Sequence, residues 1–324
     1  MTFLIQQTLV YTIPLMIVAL AGVFAERSGI INIALDGIMI FGSFMGALVV
    51  HYIQTNDMLI GQSQLIFVIA MLVAAASGAL FSLLLSFSAI NLKADQTIGG
   101  TALNMLAPAV TLLIVKIVSM QDRLAMPKAL DFIIFNTDIN EMLKPFFDKM
   151  FISTYIVIVL FVILSILLYK TKYGLRLRAC GEHPQAADSV GINVYRMRYL
   201  GTTISGALAG LGGYIYIATT ASGTAEGTVA GMGFLALAIM IFGNWKPIGI
   251  AFGSLLFGVL KCIGATYASL DINGDGIFAL KELGLPIYFY NIIPYVVVLL
   301  VLAFTSKKSR APKAEGIPYD KGQR

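Results

Sequence analysis

The chain has 324 residues, of which 58% are hydrophobic and only 12% charged, and its mean hydropathy is +0.86. Soluble domains carry about 25% charged residues, so these figures exclude a soluble globular domain and point to a polytopic membrane protein. The net charge of +5, without basic clusters interleaved with stacking aromatics, fits cytoplasmic loops facing anionic lipid and argues against a nucleic-acid partner.

Apolar runs follow one another along the chain: Leu4–Ala25, Ile30–Val50, Leu65–Ile90, Ile98–Ser119, Phe151–Tyr169, Tyr199–Thr219, Val229–Gly243, Ile248–Leu270 and Leu285–Phe304. Each is roughly 15 to 26 residues, against about 20 needed to cross a bilayer, so an all-α transmembrane bundle of about nine spans (8–10) is expected, in one domain over residues 1–305. No basic residue precedes Arg27, so Leu4–Ala25 reads as a retained span and not a cleaved signal. Basic residues gather in an insert, 170–198, and in a tail, 306–324. Both are expected to be cytoplasmic, with four spans between them. Counting backward puts Glu26–Gly29 and Asn91–Asp95 inside, and the N-terminus, His51–Ser63, Gln121–Met150 and Asp271–Gly284 outside.

Ile38-Met39-Ile40-Phe41-Gly42 recurs as Ile239-Met240-Ile241-Phe242-Gly243, and the expected topology runs the two copies in opposite directions. Chance and an inverted repeat both explain the echo. Inverted repeats are a common way to build a transporter around a central path. Each copy follows a glycine-bearing approach, with Gly29 and Gly37 in the first and Gly223, Gly227, Gly231 and Gly233 in the second. Such approaches suggest helices broken where protein or a water-filled cavity satisfies the freed backbone groups.

Ionisable residues inside the spans are few: Asp36, Lys116 and Lys261, with Asp95 at a boundary. An intramembrane charge is costly and calls for a role. Asp36, beside Asn32, Gly29 and Gly37, is expected to brace a broken helix near the path, with direct solute contact the alternative. Lys116 and Lys261 can snorkel outward. Thr101 and Asn104 are candidates for hydrogen bonds across the path, although such residues also join helices. Asn32, Asp36, Thr101 and Asn104 thus form the expected substrate path. So little charge suits a neutral polar cargo better than an ion-coupled pump.

In the insert, Pro184 suits the first turn of a helix, because its missing N–H would be unpaired there anyway. The helix should run through Val190 and stop at Gly191, with Asn193 capping the next one. Two turns alone are marginal in water, so a partner's groove is expected to enclose Ala186, Ala187 and Val190. An ordinary basic loop is the plainer alternative. Cys180 and Cys262 lie far apart in the expected topology, and neither a disulfide nor a metal site is assigned to them. Asp271, Asn273 and Asp275, with Gly276 and Glu282, fit the spacing of a calcium loop, and equally a polar turn rich in Asp, Asn and Gly.

The run G-L-R-L-R-A-x-G-E-x-P-x-A-A-x-x-x-G-I, from Gly174 to Ile192, resembles the cytoplasmic coupling segment of ABC importer permeases of the ribose/branched-chain amino-acid type. Asn32-Ile33-Ala34-Leu35-Asp36-Gly37 resembles that family's N-L-x-x-E-G segment, with Asp where Glu is usual. Gly231-Met232-Gly233-Phe234 and Gly243-Asn244-Trp245-Lys246-Pro247-Ile248-Gly249 resemble its later G-x-G-F…G-x-x-x-P-x-G block. The lead-in Glu26-Arg27-Ser28-Gly29 is most similar to the purine-nucleoside branch. The resemblance implies a transport subunit with no catalytic residues and no cofactor of its own. Its partners would be an ABC ATPase, a second homologous permease, an extracellular substrate-binding lipoprotein and membrane lipid. Gly181, Glu182, His183, Pro184, Ala186, Ala187 and Gly191 would couple it to the ATPase. The chain has no G-x-x-x-x-G-K-[ST] loop of its own. Rival readings are a simple-sugar permease, an ion-driven secondary transporter and an intramembrane enzyme. The last is disfavoured, since His51 and His183, its two histidines, both fall in loops.

Overall fold

The structure, a computed structural model, describes residues 2–134, 148–220, 223–267, 282, 284–305 and 310–322. Its helices are α1 (Thr2–Glu26), α2 (Leu35–Thr55), α3 (Ser63–Ser86, continued by a π-turn over Phe87–Asn91), α4 (Gln96–Ser119), α5 (Ile152–Lys170), α6 (Lys172–Glu182), α7 (Pro184–Ser189), α8 (Val194–Thr219), α9 (Met232–Phe242), α10 (Pro247–Thr266) and α11 (Ile287–Thr305). Seven of them are long and apolar enough to cross a membrane, and α9 and α11 supply shorter apolar helices. The nine apolar runs therefore all carry helix.

α1 is the axis of the bundle: 89% of its apolar window is buried, against 22% for α4 at the periphery. It packs on α8, α10, α9 and α5. The most extensive helix pair is α3 with α8, and its sequence explains why. Ala74, Gly78, Ser82 and Ser86 on α3 and Thr202, Gly206 and Gly210 on α8 recur every four residues, so small side chains line one face of each helix. The backbones approach so closely that a Cβ on Gly206 would stand 2.2 Å from Ser82 Oγ, and one on Gly210 would stand 2.3 Å from the Ala74 carbonyl oxygen. The Ser86 and Thr202 hydroxyls hydrogen-bond at one end of this seam. Lipid offers no hydrophobic drive between helices, so close packing of small residues and such hydrogen bonds hold them together.

The loops sort to two ends. The outer end gathers 51–64, 121–134, 148–151 and 223–225. Here β1 (Leu124–Ala125) pairs antiparallel with β4 (Thr224–Ala225), with Leu124 opposite Ala225, and β2 (Ile133–Ile134) pairs with β3 (Met150–Phe151). These short ribbons are not anticipated by the hydropathy pattern. The inner end gathers 27–31, 91–96, 171–198, 244–247 and 310–320. The described segments expected on one side thus gather at one end and those expected on the other side at the opposite end.

Several boundaries differ from the apolar runs. Ile30–Ala34 is not helical, and α2 starts only at Leu35. The second broken segment runs through Gly231, and α9 starts at Met232. α8 starts at Val194, where the expected Asn193 cap puts it, five residues before the apolar run begins at Tyr199. Lys172–Glu182, expected as plain basic insert, is helical, with the Thr171 hydroxyl accepting from Gly174 N–H at its start. Asp271, Asn273 and Asp275 lie outside the described residues; Glu282 lies within them. The five-residue echo sits in the first turns of α2 but at the C-terminal end of α9, so it does not mark equivalent places in the two helices.

Candidate functional site

Where α2 breaks, side chains replace the missing helix hydrogen bonds. Ile31 N–H donates to Gln96 Oε1 (2.7 Å), and Asn104 Nδ2 donates to the Ile33 carbonyl (2.9 Å). Asn104 Oδ1 accepts from Gly37 N–H (2.7 Å). Asn32, fully buried, donates to Ser205 Oγ of α8 (2.9 Å). Asn104 lies about 12 Å along α4 from its inner start, at 1.5 Å per residue, so the break sits inside the bundle and not at its mouth.

Asp36 closes the arrangement. Its Oδ1 accepts from Gly233 N–H (2.8 Å) in the first turn of α9. The carboxylate therefore caps a helix almost two hundred residues away in sequence, as well as lying in the first turn of its own. A Cβ on Gly233 would stand 2.4 Å from Asp36 Cα, so only glycine permits this contact. α2 leaves the junction towards the outer end, where His51 bonds the Ala125 carbonyl. α9 leaves it towards the inner end, where Asn244 accepts from Arg310 N–H. Two helix N-termini thus meet head to head within the bundle, with one carboxylate between them. Positive dipole ends and a fixed anion suit each other, and the same geometry offers N–H groups to a polar solute.

Of the expected path residues, Asn32, Asp36 and Asn104 come together at this junction. Their polar atoms are largely engaged in holding it, although Asn32 Oδ1 is buried with no partner among the described residues. Thr101 lies nearly one turn from Asn104 on α4. It is exposed, with its hydroxyl bonded to the Thr97 and Ile98 carbonyls (both 2.9 Å). Lys116 pairs with Asp122 at the outer end (3.2 Å), and Lys261 Nζ donates to Tyr295 OH (3.0 Å). Tyr295 OH in turn donates to the Ala230 carbonyl (3.1 Å), bracing the second broken segment. The sequence reading missed Tyr295 and Gln96; for Gln96, a polar residue opposite an expected break was the available signal.

At the inner end, α6 and α7 meet at His183. Pro184 opens α7, Gly191 takes a left-handed backbone (φ +82°) after it, and Asn193 Oδ1 accepts from Arg196 N–H (2.9 Å) to start α8. Gly181, Pro184 and Ala187 are buried, and Gly181 lies flat against the Arg27 carbonyl. His183, Ala186 and Gly191 are exposed, as is Val190 at 74%. Glu182 pairs with Arg27 (3.3 Å), which ties α6 to the loop before α2. Cys180 and Cys262 are both free thiols, and burial pushes the Cys180 thiol up to about 11.

The tail is not a loose basic extension over its described part. Ala314 N–H donates to the Gly181 carbonyl (2.9 Å) and Gly316 N–H to the Gly29 carbonyl (3.3 Å). Arg198 donates to the Ile317 carbonyl (3.0 Å), Lys93 pairs with Asp320 (2.7 Å), and the Tyr319 ring packs on Tyr195. Glu315 reaches the Glu26 carboxyl, which also accepts from Trp245 Nε1 (2.5 Å).

A helical bundle with two helices broken at a buried polar junction, and a short helix pair presented at one end, defines a polytopic membrane permease. The chain belongs to the family described as branched-chain amino acid transport system / permease component, whose profile matches residues 4–302. It is 40% identical over 329 aligned residues to the guanosine ABC transporter permease protein NupQ of Bacillus subtilis, covering 100% of this chain and 98% of that protein. It is 37% identical to the nucleoside ABC transporter permease protein NupC of Lactococcus lactis, covering 99% and 97%. A second Lactococcus lactis protein, the nucleoside ABC transporter permease protein NupB, is 33% identical over 169 residues, covering 51% of this chain and 45% of that one. No solved structure matches the chain.

Proposed function

We propose that this chain is the membrane permease subunit of an ATP-driven importer that carries nucleosides across the cytoplasmic membrane. The likeness to two nucleoside permeases over essentially their whole length carries this reading. The inner end would face the cytoplasm, because the insert and tail hold the basic excess. An ABC ATPase would grip the exposed edge of α7, formed by His183, Ala186, Val190 and Gly191. ATP would be hydrolysed by that partner, and this chain would act only in transport.

A second homologous permease is expected beside it, and an external lipoprotein would deliver cargo at the outer end. Two nucleoside permeases from one organism, NupB and NupC, both resemble this chain, which suits a paired arrangement. Cargo would pass the junction of α2 and α9 along the exposed polar flank of α4 at Thr97 and Thr101. Asn32, Asp36 and Asn104 hold that junction in shape.

The test is uptake by proteoliposomes holding the permease pair and ATPase, supplied with the lipoprotein. Labelled guanosine should enter with ATP and should not enter on an ion gradient alone. Ribose or glucose entering in its place would reassign the cargo. Gradient-driven entry without ATP would overturn the importer reading.

A further inference from the structure

We propose that the inner end of the bundle carries a binding site for one anionic phospholipid, with its phosphate headgroup in a basic cavity and an acyl chain in the groove between α5 and α10. The cavity, about 510 Å³, is lined by Arg27, Arg178, Lys246, Arg310 and Lys313, with Glu182 the one carboxylate. Arg27 already engages Glu182. Among the described residues, Arg178, Lys246, Arg310 and Lys313 have no carboxylate within ion-pair distance, and Arg27 Nε is buried with no partner. The Arg178 guanidinium lies over the Tyr169 ring, 4.8 Å from its centre, which fixes one cation at the cavity wall. Such a concentration of unpaired cations is a standing attraction for a phosphate.

What distinguishes this cavity from an ordinary basic patch is where it leads. Tyr169 and Lys246 also line a second cavity of about 590 Å³, which continues over Ser165, Ile166, Pro247 and Ile248. Those four residues line a third of about 390 Å³, bounded further on by Phe161, Ala251 and Leu255. From Tyr169 to Phe161 the groove follows α5 for about 12 Å, well into a hydrocarbon core of about 30 Å. Its two hydroxyls are already donated, that of Ser165 to the Phe161 carbonyl (2.6 Å) and that of Tyr169 to the Trp245 carbonyl. Ile248 and Phe252 stand 75% and 69% exposed beside it, as suits side chains facing lipid tails. An acidic protein surface would match the cations but leave the groove unexplained, and a neutral lipid would fill the groove but leave the cations unmatched. A molecule with an anionic head and an apolar tail meets both. This inference rests on the chain being a membrane protein and is independent of what it transports.

Native mass spectrometry of the full-length chain, equilibrated with equal amounts of phosphatidylglycerol and phosphatidylcholine, tests it. Phosphatidylglycerol should be retained at least about tenfold over phosphatidylcholine, and Lys246→Gln/Arg310→Gln/Lys313→Gln should abolish the preference, given the gain per basic residue near anionic lipid. All three side chains are exposed, so the variant should keep its fold, checked by its unfolding temperature. Ala251→Phe, which obstructs the groove, should reduce retention of long-chain phosphatidylglycerol while sparing a dihexanoyl analogue. Equal retention of the two lipids, or a preference that survives the triple substitution, overturns the proposal. Displacement of the lipid by millimolar inorganic phosphate, or by addition of the ATPase, would likewise overturn it and assign the cations to a free anion or to that protein.

Discussion

Asp36 does its work through one acceptor oxygen. Removing it by Asp36→Ala leaves the Gly233 N–H buried without a partner, at a cost of about 1–3 kcal/mol. Asp36→Asn keeps an acceptor of the same reach. The expected outcome is a lowered unfolding temperature for the alanine variant and near-parental stability for asparagine; equal loss in both would show that the negative charge, and not the hydrogen bond, matters. The sequence made Asp36 conspicuous, because a carboxylate in an apolar run needs a reason. It did not reveal which helix it caps, since Gly233 is almost two hundred positions away and no local pattern encodes that distance. Glu315 shows the same blindness. It sits in a basic tail where nothing local suggests burial, yet burial raises its carboxyl from the ordinary 4.5 to about 7, a rise that the hydrogen bond with Glu26 and the charge of Arg27 only partly offset.

At the scale of elements, the seam between α3 and α8 depends on the absence of side chains. Gly206→Val would drive methyl groups into Ser82 and the Gly78 carbonyl, costing roughly 1–3 kcal/mol by overpacking. Gly191→Ala, with open space around it, should cost about 1 kcal/mol through its left-handed backbone alone. Thermal unfolding of the two variants should therefore rank Gly206→Val as the worse. The four-residue spacing that builds the seam was visible in the chain, but hydropathy counting passes over it because glycine and serine scarcely change an apolar average. α7 was legible for the opposite reason: Pro184, Gly191 and Asn193 are local stop and start signals whose meaning does not depend on distant contacts. α6 was not, since its basic face hides the periodicity of Gly174, Leu177 and Gly181 against the bundle. For α7 we expect Val190→Asp to leave insertion and unfolding temperature unchanged, because the side chain is exposed, while co-purification with the ATPase is lost. Undiminished ATPase capture would remove α7 from the docking surface.

Across the whole molecule, the tail joins parts of the chain that hydropathy treats as separate. Glu315 takes up a proton more readily in the folded protein than in the unfolded chain, so its contribution to folding stability falls as pH rises from about 5 to about 7. The sole tryptophan, Trp245, donates to the Glu26 carboxyl that Glu315 reaches, and so reports this event. Its fluorescence should change between pH 5 and pH 8, and Glu315→Gln should flatten that response. A response unchanged in the variant would place the titration elsewhere. Broad architecture, in contrast, was readable: nine apolar runs, two basic segments on one side and a glycine-bearing break before α2 and α9 all follow from the cost of burying charge or bare backbone in lipid. The remainder required knowing which distant residues become neighbours.

The contacts of residues 314–320 with Gly29, Lys93, Gly181 and Arg198 also bear on the order of biogenesis. A ribosome must have passed Ala314 before any of them can form and Asp320 before all of them can, long after the first helices have been made. A nascent chain halted short of that point would display its coupling helices without this fastening, so the surface they form is completed only after the membrane helices have been made.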